Sequence, residues 1–224
     1  PSGSGFTQIF SNGSAFAALD QQGAIKVWGD PSYGGDQAKV PSGSGFTQIV
    51  SNNAAFAALD QQGAIKVWGD PNSGGNQAKV PSGSGFTQIF SNGSAFAALD
   101  QQGAIKVWGD PNWGGDQAKA PSGSGFTQIV SNSGAFAALD QQGAIKVWGN
   151  SSYGGDQNKA QKGSGFTQIF STDSAFAALD QQGAIKVWGE PYRGGDQAKV
   201  PSGSGFTQIV SNNAAFAALD QQGA

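Results

Sequence analysis

A repeat of 40 residues organises the whole sequence. The segment Ala15–Ala24 returns unchanged in every copy, and Pro1–Ile9 returns unchanged in four further copies and in altered form from Gln161. A period of this length predicts one small supersecondary unit whose copies pack against each other, because a single copy cannot bury its own apolar face. We therefore interpret residues 1–224 as a single repeat domain with copies at 1–40, 41–80, 81–120, 121–160, 161–200 and 201–224, the last of which is partial.

Each copy carries three short apolar segments that are separated by turn residues. In the first copy, Phe6–Phe10 and Ala15–Leu19 flank the pair Asn12-Gly13. That pair predicts a β-hairpin, because both residue types tolerate a positive φ. A second turn at Asp20–Gly23 leads into Ala24–Trp28, where the side chains follow the period-2 pattern of a half-buried strand. The copy is therefore predicted to form a three-stranded antiparallel meander.

Seventeen strands are expected along the chain, because the partial sixth copy lacks the third segment that the other five contain. The predicted fold is all-β: a β-propeller of about six three-stranded antiparallel blades, with the last blade incomplete. An open β-repeat array or filament is the alternative, since the period alone does not distinguish a ring from a rod. An unpaired strand edge invites association, so we expect the chain to associate with itself or to be completed by a strand in trans.

The Trp-Gly and Ala-Leu elements of the repeat resemble those of a known family. The run Gly23–Gly29, followed by Gly34-Gly35, Val40-Pro41 and Ala55–Leu59, resembles the regulator of chromosome condensation repeat. The short period is most similar to the β-lactamase inhibitor protein II type. The resemblance implies a β-propeller that binds proteins through its loops, but not nucleotide exchange, because no segment corresponds to an exchange loop. A looser likeness to tectonin-type lectins implies carbohydrate binding instead.

The composition argues against catalysis and against a metal site. The sequence contains neither Cys nor His, so the commonest general base, the thiol nucleophile and the usual zinc ligands are missing. We expect no enzymatic activity, no catalytic residue, no cofactor and no metal site. The recurring Asp20 is interpreted as a turn-forming residue. Asp30 and Asp36 offer oxygen ligands to Ca²⁺, but two carboxylates fall short of the roughly six to eight oxygens that Ca²⁺ takes, and a turn role is favoured.

The charge and the hydropathy of the chain argue against two classes of partner. The net charge is −3, charged residues make up 12% of the chain, and the lysines are scattered singly. Nucleic-acid binding proteins carry a basic stripe or patch, and the sequence shows none. It also contains no apolar run near the roughly 18 residues of a membrane span. We therefore expect neither nucleic acid nor a membrane as a partner.

Two neighbouring positions vary from copy to copy while the residues around them stay nearly fixed. They precede the Gly-Gly pair and change in size, aromaticity and charge, which is typical of residues that contact a ligand. Free drift of exposed loop residues is the alternative explanation. We predict that these pairs bind a ligand: Ser32 and Tyr33, Asn72 and Ser73, Asn112 and Trp113, Ser152 and Tyr153, and Tyr192 and Arg193.

The tryptophans fall into two groups. Those at the end of the third segment, such as Trp28 and Trp68, recur at one place in the unit and are predicted to pack between copies. Trp113 lies in a variable pair and is the tryptophan most suited to a ligand. The predicted function is a non-enzymatic repeat scaffold that binds proteins through its variable loops, assembles with itself, or does both. A carbohydrate-binding propeller is the alternative. The near-identity of the copies indicates recent amplification or engineering of one unit.

Overall fold

The computed structural model describes residues 3–224. Within this range it contains the seventeen predicted strands, three in each of the first five copies and two in the sixth. The strands are β1 Phe6–Ser11, β2 Ala15–Asp20, β3 Ile25–Gly29, β4 Phe46–Ser51, β5 Ala55–Asp60, β6 Ile65–Gly69, β7 Phe86–Ser91, β8 Ala95–Asp100, β9 Ile105–Gly109, β10 Phe126–Ser131, β11 Ala135–Asp140, β12 Ile145–Gly149, β13 Phe166–Ser171, β14 Ala175–Asp180, β15 Ile185–Gly189, β16 Phe206–Ser211 and β17 Phe216–Asp220.

Each copy folds as an antiparallel meander, as predicted. The strands pair in chain order into five three-stranded sheets and, for β16 and β17, one two-stranded sheet. We call each sheet a blade. The first strand of the first blade has a bulge between Phe6 and Gln8, where the Thr7 hydroxyl donates a hydrogen bond to the carbonyl of Leu19 at 3.1 Å. The chain divides into two compact units, Pro1–Ala118 and Lys119–Ala224, so the single repeat domain stays a prediction.

The first hairpin turn lies where it was predicted, but the predicted mechanism is wrong. Among the described residues, only glycines have a positive φ, and Gly13 is not one of them. The turn is built by Asn12, whose Oδ1 accepts hydrogen bonds from the N–H of Ser14 at 2.9 Å and of Ala15 at 2.8 Å. Such a turn needs no left-handed residue. The position after the Asn can therefore be filled by residues as different as Asn53, Ser133 and Asp173.

The second turn confirms the predicted role of the recurring Asp. Oδ1 of Asp20 accepts hydrogen bonds from the N–H of Gln22 at 2.9 Å and of Ala24 at 2.8 Å. In the sixth copy, the corresponding hydrogen bonds from the N–H groups of Ala224 and Gln222 lower the pKa of Asp220. A carboxyl group whose pKa is lowered by folding stabilises the fold above its unfolded pKa, and this contribution is lost as the pH falls through the folded value.

The middle strand of copy two is buried on both faces, which explains its small residues. In β5, every residue from Ala55 to Leu59 is buried. Within a unit, one side of a blade packs on the following copy and the other side packs on the preceding copy; we call them the forward face and the rear face. In copy two, the forward face consists of Ala55, Ala57, Leu59, Ile65 and Val67, and the rear face of Phe46, Ile49, Phe56, Ala58 and Trp68. A forward face packs on a rear face at the junctions within both units.

Trp68, Trp108 and Trp188 pack between blades, as predicted. Trp28, on the rear face of copy one, is half-buried, and the prediction is not confirmed for it. Trp68 is buried, stacks on Phe56 with ring centroids 5.2 Å apart, and packs against the forward face of copy one. Its indole N–H is buried without a hydrogen-bond partner, and the same holds for Trp108, Trp148 and Trp188. The contribution of these rings is therefore buried apolar area and stacking, and a buried ring offers no face to a sugar.

The connections between blades contain short helical turns. They are the 3-10 turns Pro31–Tyr33, Gln37–Lys39, Gln77–Lys79, Pro111–Trp113, Ser151–Tyr153, Pro191–Arg193 and Gln197–Lys199, and a π-type turn at Pro71–Gly75. The glutamine that follows the Gly-Gly pair covers the outer edge of the third strand. In copy two, Oε1 of Gln77 accepts a hydrogen bond from the N–H of Val67 at 3.0 Å, and Nε2 donates to the carbonyl of Ile65 at 3.2 Å.

This glutamine takes the place that a neighbouring strand would occupy. Its amide satisfies one N–H and one C=O on an edge that would otherwise present unpaired groups for association. A Gln in a polar loop carries no local signal for a contact with a strand, so this contact could not be predicted from the sequence. The equivalent contacts are made by Gln37, Gln117, Gln157 and Gln197.

We expect Gln77→Ala to lower the free energy of unfolding by about 1–3 kcal/mol, because the substitution leaves two backbone groups of β6 without their partner. Gln62→Ala, at an exposed position in the preceding turn, is the matched control and should change it by less than about 0.5 kcal/mol. Urea unfolding measures both. Hydrogen exchange of the Val67 amide should become faster in the first variant alone. Equal stability of the two variants would show that the glutamine contributes nothing to the edge.

Candidate functional site

The variable pairs and the first hairpin turns lie at the same end of each blade. In copy one, the N–H of Asp30 donates to the carbonyl of Ser14 at 2.9 Å, and Nδ2 of Asn12 donates to the carbonyl of Tyr33 at 2.8 Å. The residue after the turn Asn also varies between copies, from Gly13 to Asp173. We call these two sets of varying positions together the variable rim.

A side chain of the first turn fixes the backbone of each variable pair. Nδ2 of Asn52 donates to the carbonyl of Ser73 at 2.6 Å, and Asn92 and Asn132 make the same contact with the carbonyls of Trp113 and Tyr153. In copy five, the hydroxyl of Thr172 donates to the carbonyl of Arg193 at 2.7 Å. Asn52, Asn92, Asn132 and Thr172 are buried. Because each contact is made to a main-chain carbonyl, the side chain at the variable position changes without altering it.

In copies one to four, the loop around the variable pair is also held at both ends, whereas Glu190 of copy five makes no side-chain cap. Oδ1 of Asp30 accepts a hydrogen bond from the N–H of Ser32 at 2.8 Å, and the turn ends at Gly34, which has a φ of +100°. A Cβ on Gly34 would lie 2.8 Å from Cδ2 of Phe56 in the next blade. The loop is therefore seated directly on the following blade.

The carboxylates that were considered for Ca²⁺ have roles in turns. Oδ1 of Asp36 accepts a hydrogen bond from the N–H of Ala38 at 3.0 Å, just as Asp30 caps its own turn. In the part of the chain that the structure describes, no group of three or more His, Cys, Asp or Glu residues is placed to hold a metal ion. No helix among the described residues is both long enough and apolar enough to span a membrane.

The structure separates the two positions of each variable pair by exposure. The first position is exposed in all five copies: Ser32, Asn72, Asn112, Ser152 and Tyr192. The second position is exposed at Tyr33 and Arg193 and half-buried at Ser73, Trp113 and Tyr153.

The half-buried members of the pairs contact the scaffold. The Ser73 hydroxyl donates to Oδ2 of Asp70 at 2.6 Å. The ring of Tyr153 lies over Gly134, where a Cβ would come within 2.7 Å of it. Trp113, the tryptophan that the sequence favoured for a ligand, is half-buried. The side chains at the first positions are therefore more accessible to a ligand than those at the second positions.

The variable pair of copy five includes the most exposed large apolar side chain. Tyr192 is 87% exposed, more than any other large apolar side chain of the described chain. Nη1 of Arg193 lies 3.9 Å from Oδ2 of Asp173, a long and half-exposed ion pair that adds little stability. Tyr and Arg are the residue types that most often dominate the binding energy of protein interfaces. Copy five thus places one of each, side by side, on a fixed backbone.

No protein-family model matches the chain, and no curated protein sequence matches it. Solved structures do match. The ectodomain of the Physcomitrella patens receptor kinase CR4 is 20% identical, with a TM-score of 0.58 over 93% of this chain and 56% of that one. A structure of Kap60 bound to yeast RCC1 (Prp20) is 16% identical, with a TM-score of 0.60 over 97% of this chain and 68% of that one. Prp20p from Saccharomyces cerevisiae is 15% identical, with a TM-score of 0.58 over 96% and 65%.

These similarities concern the fold alone, because the identities are low. They confirm the predicted fold class, an all-β propeller of three-stranded antiparallel blades with the last one incomplete. The chain spans little more than half the length of the receptor-kinase ectodomain. The similarity to the β-lactamase inhibitor protein II type stays a prediction.

Proposed function

We propose that the chain is a non-enzymatic repeat scaffold that binds a protein through the variable rim. The observation that carries the proposal is that, in each loop, one set of side chains fixes the backbone and a different set faces solvent. Asn or Thr side chains, which are buried in copies two to five, hold the loop backbone, while the exposed side chains on that backbone differ from copy to copy. A surface whose backbone is already ordered loses less conformational entropy on binding.

Two further points support a protein as the ligand. Yeast RCC1 (Prp20), which has a similar fold, has been solved in complex with Kap60, and Prp20p has binding properties to Gsp1p and histones. In the present chain, the exposed Tyr192 and Arg193 provide a hot-spot pair of the kind that protein interfaces use. Ser and Asn at the other first positions supply adaptable hydrogen bonds around it.

The test exchanges one variable pair for another pair of the same chain. The double variant Y192N/R193S gives copy five the pair that copy two already carries, and S32N/Y33S makes the same exchange in copy one. Quantitative affinity capture should show a protein partner that is depleted at least tenfold by the first variant and is retained by the second. Retention of every captured protein by both variants would contradict binding through the rim.

Carbohydrate binding is the competing outcome. A lectin would use Trp113, because an aromatic ring stacks on sugar rings, so Trp113→Ala would abolish binding on a glycan array. The half-burial of Trp113 favours a protein ligand over a glycan. Glycan binding that is lost in Trp113→Ala and kept in Y192N/R193S would replace the proposed function by the lectin.

Self-assembly is a second candidate, and exposed blade faces favour it. On the rear face of copy one, Ile9 is 66% exposed, whereas its equivalents Ile49 and Ile89 are 3% exposed. On the forward face of copy six, Val210 and Leu219 are exposed. These are the two kinds of face that pack on each other at the junctions within each unit, so they suit a head-to-tail contact between two molecules.

Light scattering tests this second candidate. Association that depends on concentration should be weakened by Ile9→Lys, which places a charge on the rear face. It should persist in Gln8→Lys, which changes the exposed neighbouring residue of the same strand. A monodisperse monomer at all concentrations, or equal behaviour of the two variants, would contradict head-to-tail assembly.

A further inference from the structure

An apolar groove lies beside β17, at the junction between copies five and six. It has a volume of about 580 Å³ and is open on one side, within the range of about 300–1,000 Å³ that is typical of ligand sites. Its walls include Ile185 and Val187 from the forward face of copy five, Gly194 from the loop that follows, and Phe216 and Ala218 from the rear face of copy six.

The same set of residues surrounds a tryptophan at the junction between copies one and two. There, Trp68 packs against Ile25 and Val27 and stacks on Phe56. Gly34 lies next to the same ring, since a Cβ on it would come within 3.1 Å of Cδ1 of Trp68. In the groove, Ile185, Val187, Phe216 and Gly194 take the places of Ile25, Val27, Phe56 and Gly34. The groove therefore has the lining of a tryptophan pocket.

The edge of β17 has the geometry to receive a strand. In copy two, β5 pairs with β6 so that Phe56 lies opposite Trp68, Ala57 opposite Val67, and Leu59 opposite Ile65. The same residues occur in β17 as Phe216, Ala217 and Leu219. Within the described range, β17 pairs with β16 alone. It also begins one residue later than β5 does, so that Ala215 lies outside the strand, whereas its equivalent Ala55 is paired with Gly69.

We propose that this groove binds an extended peptide segment of the type Ile-Lys-Val-Trp-Gly by adding it as a third strand beside β17, with its Trp inserted between Phe216 and the forward face of copy five. Backbone hydrogen bonds along the strand edge provide affinity, and the Trp pocket provides specificity, as in other cases of strand addition. Three complete copies show the occupant at junctions within the units, where Trp68, Trp108 and Trp188 lie in the same kind of apolar setting. The Lys of the segment stays in solvent, as Lys66 does.

The experiment uses the 224-residue chain and a synthetic peptide with the sequence of Gly23–Lys39, labelled with fluorescein at Lys39. This peptide carries its own Gln37, which covers the outer edge of the added strand in the complete copies. Fluorescence anisotropy should show saturable binding. The matched control peptide carries Trp28→Ala and should bind at least tenfold more weakly, because the buried aromatic anchor is lost.

A second readout locates the bound peptide. Hydrogen exchange of the amides in Phe216–Asp220 should slow when the peptide binds, whereas exchange in the exposed strand β1 should not change. Phe216→Ala in the protein should weaken binding by a similar factor, and Val210→Ser, on the opposite face of copy six, should leave it unchanged. The proposal would be overturned if the two peptides bound with equal affinity, or if no saturable binding appeared up to about millimolar peptide. It would also be overturned if the peptide slowed hydrogen exchange only in residues outside β17. Tyr192 of the variable rim also lines the groove, so the peptide is titrated against Y192N/R193S as well, where retained binding separates the groove from the function proposed for the rim.

Discussion

Phe96→Ala is expected to lower the free energy of unfolding by about 3–5 kcal/mol. Phe96 lies in the middle strand of copy three, is 0% exposed, and stacks on Trp108 with ring centroids 5.3 Å apart. Removing the ring would open a cavity between two blades and would leave Trp108 without its stacking partner. Because protein interiors are close-packed and relax only partly around a deletion, the cavity adds to the loss of buried apolar area.

The repeat itself supplies the control for this substitution. Phe16 occupies the same position in copy one but is 44% exposed, so Phe16→Ala should cost about 1–2 kcal/mol. Urea unfolding followed by tryptophan fluorescence measures both variants. The same loss of stability in both would show that packing between blades contributes little, and that each blade is stabilised within itself.

Gly74→Ala should have the next largest effect, about 2–5 kcal/mol, because two costs add at this position. Gly74 has a φ of +99°, a conformation that strains any residue with a Cβ. A Cβ would also lie 2.7 Å from Cδ2 of Phe96 and 3.2 Å from Cδ1 of Trp108. Both rings are buried in the following blade and cannot move away without disturbing the junction.

Gly83→Ala separates the two costs. Gly83 has nearly the same φ, +103°, but nothing lies within 4 Å of the position of its Cβ. Only backbone strain remains, and we expect a loss of about 1–2 kcal/mol. Thermal or urea unfolding of the two variants in parallel gives the contribution of the contact with the next blade as the difference. No difference between them would mean that the loop is not seated on that blade as tightly as its geometry indicates.

Several features of the fold could be predicted from local pattern alone. The strands, the two turns of each copy and the packing role of the strand tryptophans follow from period-2 alternation and from bounded apolar segments. The middle strand Ala55–Leu59 is a good example, because its small residues favour close packing and the structure buries every one of them.

Other features depend on contacts between distant residues, which local pattern does not contain. The Asn12-Gly13 pair predicted a turn with positive φ, but the Asx hydrogen bonds of Asn12 allow an ordinary backbone there. The contact between Asn12 and the carbonyl of Tyr33 spans 21 residues. One signal for it existed: Asn is kept at this position in five copies and is replaced by Thr172 in the other, so a side chain with both a hydrogen-bond donor and an acceptor is always retained.

The half-burial of some variable residues was also beyond prediction. The exposure of a side chain at the second position depends on contacts with residues that are distant in sequence. Gly134 leaves room for the ring of Tyr153, whereas the equivalent residue in copy one is Ser14 and Tyr33 is exposed. The sequence therefore identified where the copies differ, and the structure showed which of those differences reach solvent.

The uniform pairing of forward and rear faces has a genetic consequence. Each junction between complete copies within a unit joins the same two sets of side chains, so an unequal crossover that removes or inserts a whole copy there would recreate a junction of the same composition. A crossover that is out of register with the 40-residue repeat would bring together parts of different strands and would break the apolar match. Copy number is thus a property that this architecture can change by recombination in whole steps, with the packing at each remaining junction preserved.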